Sequence, residues 1–231
     1  MKNFKTITTL FAALSVMFVM GISQATTLTF EKITTNAPED ISSQLFVDIN
    51  EVYTGTAITG ATFSVRNEVV YESLTSDVIT SGINSSISEI YFDYSTLANF
   101  DSIVISSQTG TDFCDINTCP TNPGVTPGEL PGSTFSSEYA ADSYGNPENG
   151  IDRSTDELIF LATLGDWSYA DMLDALANGD FRIGFHIQEI GSTLDSDGYA
   201  SVSTVPVPAA AWLFGTALFG FFATGRRKKI S

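Results

Sequence analysis

The feature that most limits the fold of this chain is a series of short runs rich in β-branched and aromatic residues. Apolar and polar residues alternate in several of these runs, and Gly, Asn, Asp and Ser separate them at the spacing of β-hairpins. Alternation with a period of two puts successive side chains on opposite faces of a strand. The sequence therefore predicts a mainly β fold, an antiparallel β-sandwich of jelly-roll type. The runs cover residues 28–33, 45–49, 61–65, 87–94, 103–105, 158–161 and 181–187.

One segment has the period of a helix instead. Between residues 168 and 179 the apolar side chains of Met172, Leu173 and Leu176 follow helical spacing. Ser168 is a favourable N-cap, Asp171 follows three residues later, and Asn178-Gly179 supplies a stop signal. The sequence predicts one short helix here, packed on the edge of the sandwich.

The first 25 residues have the pattern of a secretory signal peptide. Lys2 and Lys5 precede an apolar stretch at 7–22, and small residues occupy the −3 and −1 positions before a cleavage site after Ala25. The short apolar stretch favours cleavage over the alternative of an uncleaved anchor. We therefore expect the chain to cross the inner membrane and the mature protein to begin at residue 26.

The other end of the chain carries a second apolar segment. Residues 209–225 contain no charged side chain and are followed at once by four cations. A stretch of this length lies at the lower limit for a transmembrane helix, and the cations predict a stop-transfer signal on the cytoplasmic side. An ordinary tail anchor is the simpler alternative. The stop-transfer cluster consists of Arg226, Arg227, Lys228 and Lys229.

Two prolines directly precede this helix, in the segment Val205, Pro206, Val207 and Pro208. Proline denies the backbone helical hydrogen bonds and keeps the segment extended and accessible to a protease. Together with the apolar and basic segments, residues 203–231 resemble the PEP-CTERM sorting signal of Gram-negative bacteria, in its VPLPA-CTERM variety. Val207 stands where the parent motif carries Glu.

The resemblance implies that an exosortase, an integral-membrane protease of transpeptidase type, recognises residues 205–208 and cleaves near them. The membrane anchor is then transient, and the product reaches the cell surface or the extracellular polysaccharide matrix. The domain organisation that follows is a signal peptide at 1–25, an ectodomain at 26–204 and a sorting signal at 205–231.

The charge of the ectodomain argues against nucleic acid as a partner. All 27 acidic residues lie in it, whereas only four bases do, so its formal charge is −23 although the whole chain carries −17. Nucleic-acid binding needs clustered cations, and we expect none. An acidic surface is usually a device for solubility, and calcium bridges to an anionic matrix are the alternative. The bases are Lys32, Arg66, Arg153 and Arg182.

Residues 108–153 contain five of the eight prolines and little alternation, which predicts a long loop. The only two cysteines, Cys114 and Cys119, lie in this segment. Outside the cytoplasm a disulfide is their expected state, and the spacing does not match the Cys-x-x-Cys of redox catalysts. We expect a structural disulfide between them.

Few residues suggest chemistry. The single histidine, His186, lies on the more polar face of a predicted strand, where a surface position is expected. Asp195 and Asp197 form an acidic cluster with hard oxygen ligands and are the candidate calcium ligands, although acidic residues of this kind are more often turn formers. No other cofactor is expected. The sequence has no nucleophile elbow and no zinc-protease motif.

These observations predict a non-enzymatic protein of the cell surface or extracellular matrix, associated with exopolysaccharide. A calcium-assisted carbohydrate-binding module is the alternative from another class. A secreted glycan hydrolase ranks below both, because 27 acids make carboxylate pairs uninformative.

Overall fold

The computed structural model describes residues 26–73, 78–94, 100–115, 130, 135, 137–143 and 147–202. Two antiparallel sheets contain nearly all of the strands, so the predicted mainly β, antiparallel fold is confirmed. Sheet I has the order β1-β3-β4-β11-β8 and sheet II the order β2-β13-β12-β7-β10-β9.

The strands of sheet I are β1 (Thr26–Leu28), β3 (Leu45–Thr54), β4 (Ala57–Asn67), β8 (Phe100–Thr109) and β11 (Glu157–Leu164). Those of sheet II are β2 (Phe30–Lys32), β7 (Ser86–Asp93), β9 (Cys114–Asp115), β10 (Tyr139–Asp142), β12 (Arg182–Ile190) and β13 (Asp195–Ser201). A separate two-stranded ribbon pairs β5 (Val70–Tyr71) with β6 (Ile79–Ser81). The described residues also form two 3₁₀ turns, η1 (Ser42–Gln44) and η2 (Pro147–Asn149), and the helix α1 (Tyr169–Asn178).

A cluster of aromatic rings joins the two sheets. The ring centroid of Phe92 in β7 lies 5.0 Å from that of Phe160 in β11 and 5.6 Å from that of Phe63 in β4, both in edge-to-face geometry. All three side chains are fully buried. Strand β12 contributes to the same core. Its alternate residues Ile183, Phe185 and Ile187 are buried, as the alternation in the sequence predicts.

The helix α1 forms where the sequence predicts it. Ser168 Oγ accepts a hydrogen bond from the Asp171 backbone N–H, and the Asp171 carboxylate accepts one from the Ser168 N–H, which completes a capping box. Gly179 ends the helix at φ 80°, a left-handed conformation that favours glycine. The buried face, which includes Met172 and Leu176, packs on the core.

The structure differs from the sequence prediction in three places. The run 28–33 is two strands, because the chain crosses from sheet I to sheet II at Thr29. The acidic cluster at 195–198 lies in strand β13 and not in a loop. The segment 108–153, predicted as one loop, contains β9, β10 and η2.

Several predicted segments lie outside the described residues: the signal peptide at 1–25 and the sorting signal at 205–231 with its apolar stretch at 209–225. Among the described residues, no helix has the length and apolar character that are needed to cross a membrane.

The two ends of the sandwich differ. At the helix end, which carries α1, the backbone N–H of Val202 donates to the carbonyl of Thr29 at 3.0 Å, so the end of β13 lies beside the crossing from β1 to β2. At the opposite end, the loop end, buried side chains tie the connections together. Gln44 Nε2 donates to Asn67 Oδ1 and Ser85 Oγ, and Asn67 Nδ2 donates to the Ser85 carbonyl.

We predict that Phe92→Ala lowers the free energy of unfolding by about 3–5 kcal/mol, because the truncated ring leaves a cavity between the sheets. Phe46→Ala is the matched control, since Phe46 is only partly buried and is absent from the core cluster. Urea denaturation measures both variants. Equal losses would mean that the two sheets do not depend on the aromatic cluster.

Candidate functional site

A cleft of about 210 Å³ opens at the loop end of the sandwich. It brings together two segments that are far apart in the sequence, one around the ribbon β5–β6 and one just before β11. Its walls combine an aromatic ring, a guanidinium group, three hydroxyl groups and two aliphatic side chains. The lining residues are Val69, Val70, Tyr71, Ser73, Arg153, Ser154 and Thr155.

Tyr71 is fixed from both sides. Its backbone pairs with Ile79 in the ribbon, and its hydroxyl donates to Asn84 Oδ1 at 3.2 Å. The other side of the Asn84 amide donates to the carbonyl of Glu189 at 3.1 Å, which connects the ring to sheet II. The ring is therefore held at a defined position in the cleft wall.

Arg153 stands over the Tyr71 ring, with its Cζ atom 4.0 Å from the ring centroid, in cation–π geometry. Its Nε atom lies 3.8 Å from Asp152 Oδ1. Next to it, the backbone N–H of Ser154 donates to the carbonyl of Val69 at 2.7 Å and so closes the floor of the cleft. The turn 152–156 thus determines where the guanidinium lies.

The side chain of Asp156 holds the backbone of the turn 152–156 in place through hydrogen bonds. Its carboxylate accepts hydrogen bonds from the backbone N–H groups of Asp152 and Arg153, and its own N–H donates to the Arg153 carbonyl. Burial raises the pKa of Asp156 to about 7, and the hydrogen bond and charge of Asp152 add to this effect. Gly110 faces the carboxylate at φ 72°, where a Cβ atom would lie 2.1 Å from Asp156 Oδ1, so only glycine fits.

Asp197, one of the two candidate calcium ligands, is occupied by protein donors. Its Oδ1 accepts from Thr34 Oγ1 at 2.6 Å and from the Asn36 N–H at 2.8 Å. Its Oδ2 accepts from the Ala37 N–H and from the Lys32 ammonium, each at 2.7 Å. A metal ion would have to displace these groups, so the donors around Asp197 do not fit a cation.

The pKa of Asp197 reflects the same contacts. Burial alone would raise the pKa of this carboxyl, but the hydrogen bonds from Lys32, Thr34, Asn36 and Ala37 outweigh burial and lower it. Asp195 is exposed. In the part of the chain that the structure describes, no group of three or more His, Cys, Asp or Glu side chains is arranged to hold a metal ion.

His186 lies on the outer face of sheet II, as the alternation predicts, but its side chain is only 15% exposed. Its Nδ1 atom lies 3.2 Å from Glu89 Oε2, and the Tyr91 hydroxyl donates to the same oxygen. Burial opposes ionisation of Glu89, yet the contacts with His186 and Tyr91 prevail and lower its pKa. An acid partner for the histidine therefore comes from strand β7, which spacing along β12 does not reveal.

The four cationic side chains of the ectodomain, all of them among the described residues, form ion pairs with carboxylates. Among the described residues, each lysine and arginine side chain has a carboxylate within 4.0 Å. The described part of the chain therefore has no cluster of cations to which an anionic polymer could bind. The pairs are Lys32–Asp197, Arg66 with Asp48 and Glu68, Arg153–Asp152 and Arg182–Asp93.

The other predicted site residues are placed only in part. Cys114 lies in β9 and is disulfide-bonded, and the only other cysteine, Cys119, lies outside the described residues. Ala25, the motif 205–208 and the basic cluster 226–229 also lie outside them. The residues that line the cleft had no signal in the sequence, because some 80 positions separate its two segments.

Comparisons with protein-family models, with curated proteins and with solved structures find no match to this chain.

We predict that Asp197→Asn costs about 3–5 kcal/mol of the free energy of unfolding, because it leaves the Lys32 ammonium buried opposite a neutral amide. Asp195→Asn is the matched control, two residues away and exposed, with an expected change within about 0.5 kcal/mol. Urea denaturation at pH 7 measures both. A thermal shift with millimolar calcium that Asp195→Asn abolishes would support the calcium hypothesis.

The raised pKa of Asp156 predicts an unusual pH dependence. Because the fold binds the Asp156 proton more tightly than the unfolded chain does, the contribution of this group to stability falls as pH rises from about 4 to about 7. The decline ends about one pH unit above the pKa of about 7, where Asp156 is fully ionised in the fold as well. Thermal unfolding across this range should show the slope in the wild type and a flatter profile in Asp156→Asn. Identical slopes in the two proteins would contradict the prediction.

Proposed function

We propose that this chain is an exported, non-enzymatic protein of the cell surface or extracellular matrix of a Gram-negative bacterium. A signal peptide directs it across the inner membrane, residues 209–225 hold it there for a time, and an exosortase-like protease releases it near 205–208. The folded sandwich then associates with exopolysaccharide.

The observation that carries this proposal is the order of three elements at the C-terminus. Val205, Pro206, Val207 and Pro208 precede the uncharged stretch at 209–225, and the basic cluster at 226–229 follows it. Such an order suits a protease that works at the membrane face on an extended segment.

The fold supports the proposal in a second way. Strand β13 ends at Ser201, four residues before the motif at 205–208, so the motif follows the last strand of the fold closely. The Val202 N–H bond to the Thr29 carbonyl holds the end of β13 against the fold, so a tether near the motif would attach at the helix end and leave the loop end unobstructed. Repeated crossings of the chain between the sheets, as from β1 to β2 and from β2 to β3, support the jelly-roll description.

A carbohydrate-binding module remains the second candidate function, and the cleft at Tyr71 and Arg153 favours it. An aromatic ring beside hydroxyl groups suits the mixed apolar and polar surface of a sugar. Binding and matrix association are compatible, since a matrix protein needs a means of holding its polymer.

We predict that Pro206→Ala, Pro208→Ala protein accumulates in the membrane of its native host with its C-terminus at Ser231. Wild-type protein from the surface or medium should end near residues 204–208, free or with extra glycan or lipid mass. Intact mass spectrometry and membrane fractionation measure both. Pro120→Ala, Pro123→Ala protein is the matched control and should be processed normally. Normal release of the motif variant would overturn the sorting mechanism.

A further inference from the structure

The geometry points to the cleft at the loop end as a calcium-independent binding site for one neutral sugar unit of a glycan. This inference rests on the proposed surface function and names the partner of the sandwich. The cleft is lined by Tyr71, Arg153 and the hydroxyl residues Ser73, Ser154 and Thr155.

The size of the cleft limits the ligand. Its volume of about 210 Å³ is below the range of about 300–1,000 Å³ typical of pockets for larger organic ligands. A space of this size suits a single ring. The cleft is also open to solvent, so the neighbouring units of a glycan can continue outwards on either side of the bound unit.

The lining suits the two chemical faces of a sugar. Val70, which is 38% exposed, and the ring of Tyr71 present apolar surface for C–H groups. Around them stand the Ser and Thr hydroxyls, each able to donate and accept, and the guanidinium of Arg153, which only donates. The hydroxyl acceptors and the guanidinium donors therefore stand together in one lining, as adjacent sugar hydroxyls require.

The site is held in place before any ligand arrives. Tyr71 is fixed through Asn84, and the turn that carries Arg153 is fixed by the buried carboxylate of Asp156 and by the Ser154–Val69 backbone bond. Pre-organised groups lose little conformational entropy on binding, which raises the affinity that a small contact area can reach.

The negative charge around the cleft favours a neutral sugar over an acidic one. The ectodomain carries a formal charge of −23, and the cation in the cleft, Arg153, already lies 3.8 Å from the carboxylate of Asp152. A uronate would meet repulsion at long range and competition from Asp152 at short range. A neutral sugar meets neither, and the hydroxyl groups of the lining need no charge on the ligand.

The test uses full-length protein in a detergent without a sugar headgroup, on an array of neutral oligosaccharides of glucose, mannose, galactose and xylose and of uronate oligomers. We expect binding to at least one neutral oligosaccharide in the presence of EDTA. Tyr71→Ala should weaken that binding at least about tenfold, since aromatic side chains at the centre of a contact carry much of its energy. Tyr53→Ala, an equally conservative truncation of an exposed tyrosine near the helix end, should bind as the wild type does.

A second variant guards against a folding defect in Tyr71→Ala. Thr155 is exposed, so Thr155→Trp narrows the cleft without removing a buried contact. It should keep the wild-type unfolding temperature and lose binding at least about tenfold. Loss of binding in both variants supports the inference.

Four results would overturn it: no neutral glycan bound, binding to uronates alone, binding that needs calcium, or unchanged binding in Tyr71→Ala or Thr155→Trp. The proposed function fails by a different measurement, the processing of Pro206→Ala, Pro208→Ala protein. Normal sorting of a wild-type protein that binds no neutral glycan would therefore overturn the sugar site alone.

Discussion

The buried carboxylate of Asp197 holds together parts of the fold that sequence alone keeps far apart. It accepts three hydrogen bonds from the segment that follows β2 and pairs with the ammonium of Lys32, the last residue of β2. Thr34 also accepts a bond from the Gly198 N–H, so the segment and strand β13 are joined in both directions. Because an isolated buried charge is costly, the carboxylate and the ammonium require each other, and each fixes the other's strand. The edge of sheet II and the start of the loop end depend on this contact.

The loop end continues from that contact through buried amides. Gln44 follows the Asp197-bound segment, and its amide bonds to Asn67 and Ser85, which begin the path to the ribbon β5–β6. Asn67 in turn donates to the carbonyl of Ile151, at the start of the turn that carries Arg153. The cleft is thus supported by satisfied polar groups rather than by apolar packing. Such networks define one arrangement, since each unsatisfied alternative leaves a buried donor or acceptor without a partner.

Local signals in the sequence were enough for the helix and for most of the central strands. Ser168, Asp171 and Gly179 act within a few residues of one another, so their pattern determines α1 without help from the rest of the fold. The alternation of β12 likewise identifies its core face. Strand β13 was missed for the opposite reason. Asp195 and Asp197 are typical turn formers, and the donors that allow Asp197 into the interior lie about 160 positions away. The cleft was missed too, because only tertiary packing brings Tyr71 to Arg153.

The positions of the two ends connect the proposed tether to the proposed sugar site. Thr29 and Val202 meet at the helix end, whereas Tyr71 and Arg153 lie at the loop end. Strand β12 has nine residues, which at about 3.3 Å per residue separates the ends by about 30 Å. In a chain held through its C-terminus, the cleft would therefore lie at the end of the sandwich farther from the point of attachment. A tether at one end and a neutral sugar at the other is consequently an arrangement in which neither function obstructs the other.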